Sequence, residues 1–394
     1  MKQYLYSLFP GHQPDRTTVS LLFTCLFVGI AGSFTVPTMS LFMTQEVGVK
    51  PALLGVFFAL VAIAGVAVSQ TLAWWSDQGK DRKSIILVCN TMGAIGFLVF
   101  AFSRDFTVLL ISALIFLSTS SASLPQVFAL AREVLDKRQQ AADKFSAVLR
   151  AQIALAWVLG PPLAFFLAEG VGFQWLFIVA ALLYVCLLAV VLFTLPSSER
   201  ERAQQDAVAA PALWRDKDLL ALSVAFLAMY AANNMYLISM PLYIATELQL
   251  DSALAGFMMG TAALIEIPVM LLSGSYAVRF GKRRLTAAAV VAGVIFYAGV
   301  AINESVLGFL CLQLFNGIFI GVTSALGISY FQDLQPAKMG QVTTLYSNSI
   351  KTGGILGGVV AGAVAQWFGF NAVFIACAIL SVIAFFVVLQ VRNA

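Results

Sequence analysis

Twelve long apolar stretches fill almost the whole chain, and only short polar breaks separate them. A helix that spans a bilayer needs about 20 apolar residues, roughly 30 Å of rise. The stretches reach that length near 17–43, 52–75, 84–103, 106–131, 142–168, 173–195, 218–245, 252–273, 285–302, 305–331, 340–367 and 371–390. Hydrophobic residues make up 60% of the chain and charged ones 11%, too few polar groups to cover a globule in water. The pattern predicts an all-α membrane protein with twelve transmembrane helices in two pseudo-symmetric six-helix bundles. No cleavable signal peptide is expected, because Lys2 and Arg16 precede a first span too long for a signal sequence.

The net charge of +4 is informative through its placement. Of the 23 Lys and Arg, all but Lys50, Arg104, Arg150 and Lys351 fall in the two tails or in, or within three residues of, the breaks after even-numbered spans. Basic residues stay cytoplasmic during insertion, so both termini are expected in the cytoplasm, and the clusters report topology rather than nucleic-acid binding. The longest hydrophilic stretch, 196–217, reads as a linker between halves at 1–195 and 218–394. The halves echo each other: Gly55-Val-Phe-Phe beside Gly256-Phe-Met-Met, and Gly160 with Gly172-Phe173 beside Gly357 with Gly369-Phe370. A six-plus-six repeat predicts a substrate path near the midplane, with a site drawn from both halves.

Two breaks carry a mechanism. Trp74-Trp75-Ser76-Asp77-Gln78-Gly79-Lys80-Asp81-Arg82-Lys83 and Gly274 to Arg284 are tight turns followed by cations at the membrane surface. They serve either as topogenic signals or, through Asp77, Arg82 and Arg283, as a latch on the cytoplasmic face. Both are similar to the cytoplasmic loop of the major facilitator superfamily, Gly-x-x-x-Asp-Arg-x-Gly-Arg-Arg. Val278 stands where that loop has Asp, so the resemblance assigns the latch to the first half. In span 5, Gly160-Pro161-Pro162 is either a passive kink or a hinge and tight seam. The Gly-Pro pair resembles the antiporter motif of the same superfamily.

Ionisable groups within spans cost roughly 2.5–3.5 kcal/mol each at a helix centre, so Arg150, Glu266 and Lys351 stand out. Arg150 and Glu266 are expected about 12 Å and about 10 Å from the cytoplasmic end of their spans. Glu266 is read as a proton-titrating or substrate-anchoring carboxylate with Arg150 as its switchable counter-ion, a fixed structural pair being the alternative. Neutral groups surround them: Gln126, Gln152, Tyr230, Asn233, Asn234, Tyr236, Gln313, Asn316 and Asn348. Amides and phenols both donate and accept, which suits polyhydroxylated solutes; each alone is equally suited to bonding between helices. The single histidine, His12, precedes the first span, and the five cysteines follow no metal or disulfide spacing. Neither metal nor cofactor is expected.

Longer strings narrow the resemblance. Pro125 to Glu133, Arg150 to Phe165, Asn234-Met-Tyr236, Ala255 to Pro268, Phe280 to Arg284, Phe331 to Pro336 and Asn348-Ser-Ile350 resemble the sugar efflux transporter family over nearly the whole chain. That resemblance implies export of small sugars and glycosides such as lactose and glucose across the bacterial inner membrane, by proton antiport, from a monomer in the lipid bilayer. It also implies Arg150, Gln152, Glu266 and Asn348 as site residues. Lys351 departs from the family, which carries a small polar residue there, and leaves the substrate range open. A multidrug/proton antiporter of the same superfamily is the alternative, and it would carry an acid on span 1, where none occurs. A membrane-embedded enzyme lacks its nucleophile and base here, and a sensor lacks room for a signalling domain.

Overall fold

In hydrocarbon every backbone N–H and C=O has to be satisfied within the chain, and this chain does so with helices throughout its described residues. The computed structural model describes residues 16–137, 142–197, 216–336 and 339–392. His12 and all but the ends of the expected linker lie outside the described residues. Among the described residues, eleven helices are long and apolar enough to cross a membrane. They are α1 (Arg16–Gln45), α2 (Pro51–Asp77), α3 (Arg82–Phe102), α4 (Phe106–Val134), α5 (Ala142–Val171), α6 (Phe173–Thr194), α7 (Lys217–Leu242), α8 (Ala253–Phe280), α9 (Lys282–Ile302), α10 (Val306–Leu334) and α11 (Met339–Gln390). Side chains such as Phe193 and Ile302 are 80% and 86% exposed, an apolar exterior that only a lipid solvent accommodates.

The eleventh helix differs from expectation. Its 52 residues would extend about 78 Å as one rod, more than twice the hydrocarbon core. Gly369, at φ 85°, ψ 169°, interrupts it between the expected spans 340–367 and 371–390. The Glu247 carboxylate accepts from the Phe370 and Asn371 N–H groups just beyond, the role of an N-cap.

The turns recur. Gly79 and Gly281 take φ +89° and +83° at the two basic breaks, and Gly172 takes +93° where Gly369 takes +85°. Asp105 and Ser305 each cap the next helix through a side-chain oxygen.

The chain divides into two compact units, one comprising Met1–Thr35 and Ile63–Asp206, the other Val36–Ala62 and Ala207–Ala394. Small residues set the helix spacing within each. In the first, Cys25 and Ser33 of α1 donate to the Leu149 and Ala156 carbonyls of α5. A Cβ on Gly29 would stand 2.9 Å from the Ala156 Cβ, and one on Gly160 would collide with the Ser33 hydroxyl. In the second, a Cβ on Gly353 or Gly357 would press into the Leu227 and Ala231 carbonyls of α7, at 2.5 and 2.6 Å. Gly55 of α2 meets Gly358 and Gly362 of α11 backbone to backbone.

Candidate functional site

In the second unit, glycine again decides position. A Cβ on Gly317 or Gly321 of α10 would strike Ile265 or Val269 of α8 at 2.7–2.8 Å, so the two helices lie close along this stretch. That approach holds Glu266 of α8 half-buried against α10. Two residues on, Pro268 removes one N–H from the α8 ladder. The Tyr230 hydroxyl of α7 lies beside Ser324 of α10 and Tyr346 of α11, within electrostatic reach of Glu266. Tyr346 and Phe226 fill the notch left by Gly327, with their rings 5.6 Å apart. Four helices thus bring one carboxylate and three hydroxyls together. Ser324 and Tyr346 escaped the sequence reading, although each is a hydroxyl within an apolar span.

The other expected residues of this unit separate by burial. Asn348 and Lys351 of α11 are exposed, and Asn233 is half-buried. Asn234 donates to the Gly354 carbonyl and so ties α7 to α11. Tyr236 is 1% exposed, edge-on to Phe296 at 5.0 Å and among Tyr297 and Phe374. Gln313 is fully buried, donates to the Phe309 carbonyl of its own helix and accepts from Asn316. Tyr236, Gln313 and Asn316 therefore stand within the helix packing.

In the first unit, Arg150 of α5 is exposed and Gln152 half-buried. Gln126 of α4 is 3% exposed, and its amide oxygen accepts from Arg82 at 2.9 Å. Arg82 is itself 6% exposed and bonds Glu133 at 2.7 Å, so Gln126 belongs to a buried charged cluster. The neighbouring Asp81 caps α3 through the Lys83 and Ser84 N–H groups. The Asp77 side chain, expected as a latch, lies outside the described residues. Gly160, Pro161 and Pro162 run within continuous α5, with Gly160 in the seam against α1.

The second unit has a matching ion pair. Lys282, opening α9, bonds Asp333 near the end of α10, and these two residues are 51 apart, as Arg82 and Glu133 are. The adjacent Arg283 donates to the Val391 carbonyl. The repeat thus extends from turns to charged contacts.

The family model described as Major Facilitator Superfamily matches residues 21–346 and, separately, 222–394. The chain is 44% identical over 375 residues to Sugar efflux transporter A of Escherichia coli (strain K12), covering 95% of this chain and 96% of that protein. It is 40% identical over 379 residues to Sugar efflux transporter B of Salmonella typhimurium, covering 96% of each. Among solved structures, the nucleoside transporter NupG superposes with a TM-score of 0.79 at 15% identity, over 95% of this chain and 98% of that one. The peptide transporter POT in complex with sulfate gives 0.74 at 13% identity, over 99% and 97%. At such identity these two structures speak to the fold alone. The chain belongs to the sugar efflux transporter family of the major facilitator superfamily.

Proposed function

We propose that the chain is a secondary active exporter of small sugars and glycosides, lactose- or glucose-like, driven by proton antiport with alternating access. The observation that carries this reading is the half-buried Glu266 among Tyr230, Ser324 and Tyr346. A carboxylate there can take a proton or a sugar hydroxyl, and the phenols and hydroxyl can bond whichever is bound. Arg150 is its proposed counter-ion. Gln126, Gln152, Asn233, Asn234, Tyr236, Gln313, Asn316, Asn348 and Lys351 complete the polar set, the exposed ones as solute contacts and the buried ones as support. Asp77, Arg82, Gly160, Pro161, Pro162 and Arg283 act in gating.

The Gly369 break supports counting α11 as two crossings, hence twelve in two six-helix bundles split at 196–217. The basic residues favour cytoplasmic termini in a bacterial inner membrane. The relatives' names support sugar as cargo. No enzymatic step is assigned, and the chain acts as a monomer without cofactor.

Inverted vesicles made acidic inside test the proposal. Wild type is expected to accumulate labelled sugar or glycoside in a proton-dependent way, and Glu266→Gln is expected to lose that dependence. Accumulation of cationic drugs with no sugar transport would instead identify the multidrug alternative.

A further inference from the structure

The turn between α8 and α9 does more than reverse the chain. Beyond Gly321 the α8 and α10 helices frame a groove of about 960 Å³, within the second unit. One wall is apolar and open: Leu271 is 78% exposed, Val278 is 91% exposed, and no protein atom lies within 4 Å of where a Cβ on Gly274 would stand. Leu271 and Val278 are seven apart on α8, two turns along one face, so they line a track running away from the turn. At the mouth stand Arg279, Lys282 and Arg284. Lys282 is held by Asp333. Arg279 rests over the Phe280 ring at 5.3 Å, and among the described residues neither it nor Arg284 has a carboxylate partner. Tyr276 stacks on Phe280 beside them, an aromatic pair of the kind that sits at headgroup level.

Apolar track, aromatic collar and uncompensated cations follow one another in the order of acyl chain, interface and phosphate. We infer that this groove is a binding site for an anionic phospholipid, its phosphate on Arg279 and Arg284 and an acyl chain along Leu271, Gly274 and Val278. The substitution of Val278 into a loop pattern that elsewhere has Asp serves this site twice. It withdraws a negative charge beside Arg279 and adds apolar surface where the chain would lie. The inference does not depend on the cargo or on the direction of transport.

Native mass spectrometry of the full chain in detergent provides the test, with phosphatidylglycerol and phosphatidylethanolamine of identical acyl chains. Two uncompensated basic residues correspond to a preference of roughly thirtyfold for phosphatidylglycerol. The double variant Arg279→Gln/Arg284→Gln should abolish that preference. Arg279 also lies in the last turn of α8, where a cation favours the helix itself, so Val278→Asp, which keeps both arginines, is the second variant. It should reduce phosphatidylglycerol retention severalfold and leave phosphatidylethanolamine retention unchanged. Equal retention of the two lipids by wild type, or a preference untouched by either variant, would overturn the inference. So would glycerol 3-phosphate competing as well as the lipid, because the anion alone would then be the ligand.

Discussion

Arg82 shows what a charge costs and gains when it is taken out of water. At 6% exposure it would be strongly unfavourable alone, and Glu133 and Gln126 supply the acceptors that hold it. Removing one partner strands the other. Glu133→Gln is therefore expected to destabilise the chain by about 3 kcal/mol, and the double Arg82→Gln/Glu133→Gln by less, a difference that thermal unfolding in detergent can read. At the start of α7, burial pushes the Asp216 carboxyl up, but bonds from Gln335 and from the Leu219 and Asp218 N–H groups, with the Arg392 charge, hold it below its ordinary value. A lowered folded value stabilises above the unfolded pKa and is lost as pH falls through the folded one. Asp216→Asn should remove that part of the acid sensitivity below about pH 4, measured as unfolding temperature against pH. Glu266 stands out in the sequence because a charge within an apolar span has few innocent explanations, and hydroxyls gather near it; Arg150, marked for the same reason, is exposed on α5. Ser324 and Tyr346 do not stand out, since a hydroxyl can be satisfied by its own helix. Gln126 read as an open amide because sequence does not tell which face of α4 meets Arg82.

Helices in hydrocarbon gain little from burying apolar groups, so their association depends on how closely backbones approach. The seams between α1 and α5, and between α7 and α11, rest on that. Gly160 faces Ser33, while Gly353 and Gly357 face the Leu227 and Ala231 carbonyls. Gly160→Val should force the seam apart and cost about 1–3 kcal/mol, seen as a lower unfolding temperature. The same change at the exposed Gly170, where no atom lies within 4 Å, serves as the control. Gly160 was recognisable beside Pro161 and Pro162, as either a hinge or a seam. The sequence could not choose between these, because the deciding partner, Ser33, lies on another helix. The end of span 11 was placed within two residues of Gly369, for the φ-positive glycine there breaks the apolar run as well as the helix. Its support was invisible: Glu247, on the far side of three helices in sequence, caps the segment beyond.

Over the whole chain, the duplicated pattern extends from glycine turns to ion pairs, Arg82 with Glu133 and Lys282 with Asp333. The membrane sees the two halves alike only if their equivalent ends lie on the same side. That condition holds when an even number of crossings separates them, as six does and five does not. The sidedness of Lys and Arg then becomes a statement about every break at once. On this reading Gln78, in the first basic turn, is cytoplasmic and Glu304, between α9 and α10, is on the opposite face; both are exposed. In a background with the five native cysteines replaced, an impermeant maleimide applied to cells with a permeabilised outer membrane should label Glu304→Cys and spare Gln78→Cys. Inverted vesicles should give the opposite pattern. Labelling of both positions from one side would mean an odd number of crossings fewer or more than the seven helices α3 to α9 between them, and the halves would no longer present equivalent ends to one face. Reversal of both would leave the fold intact and overturn only the orientation, because the same bundle satisfies its backbone whichever face meets the cytoplasm.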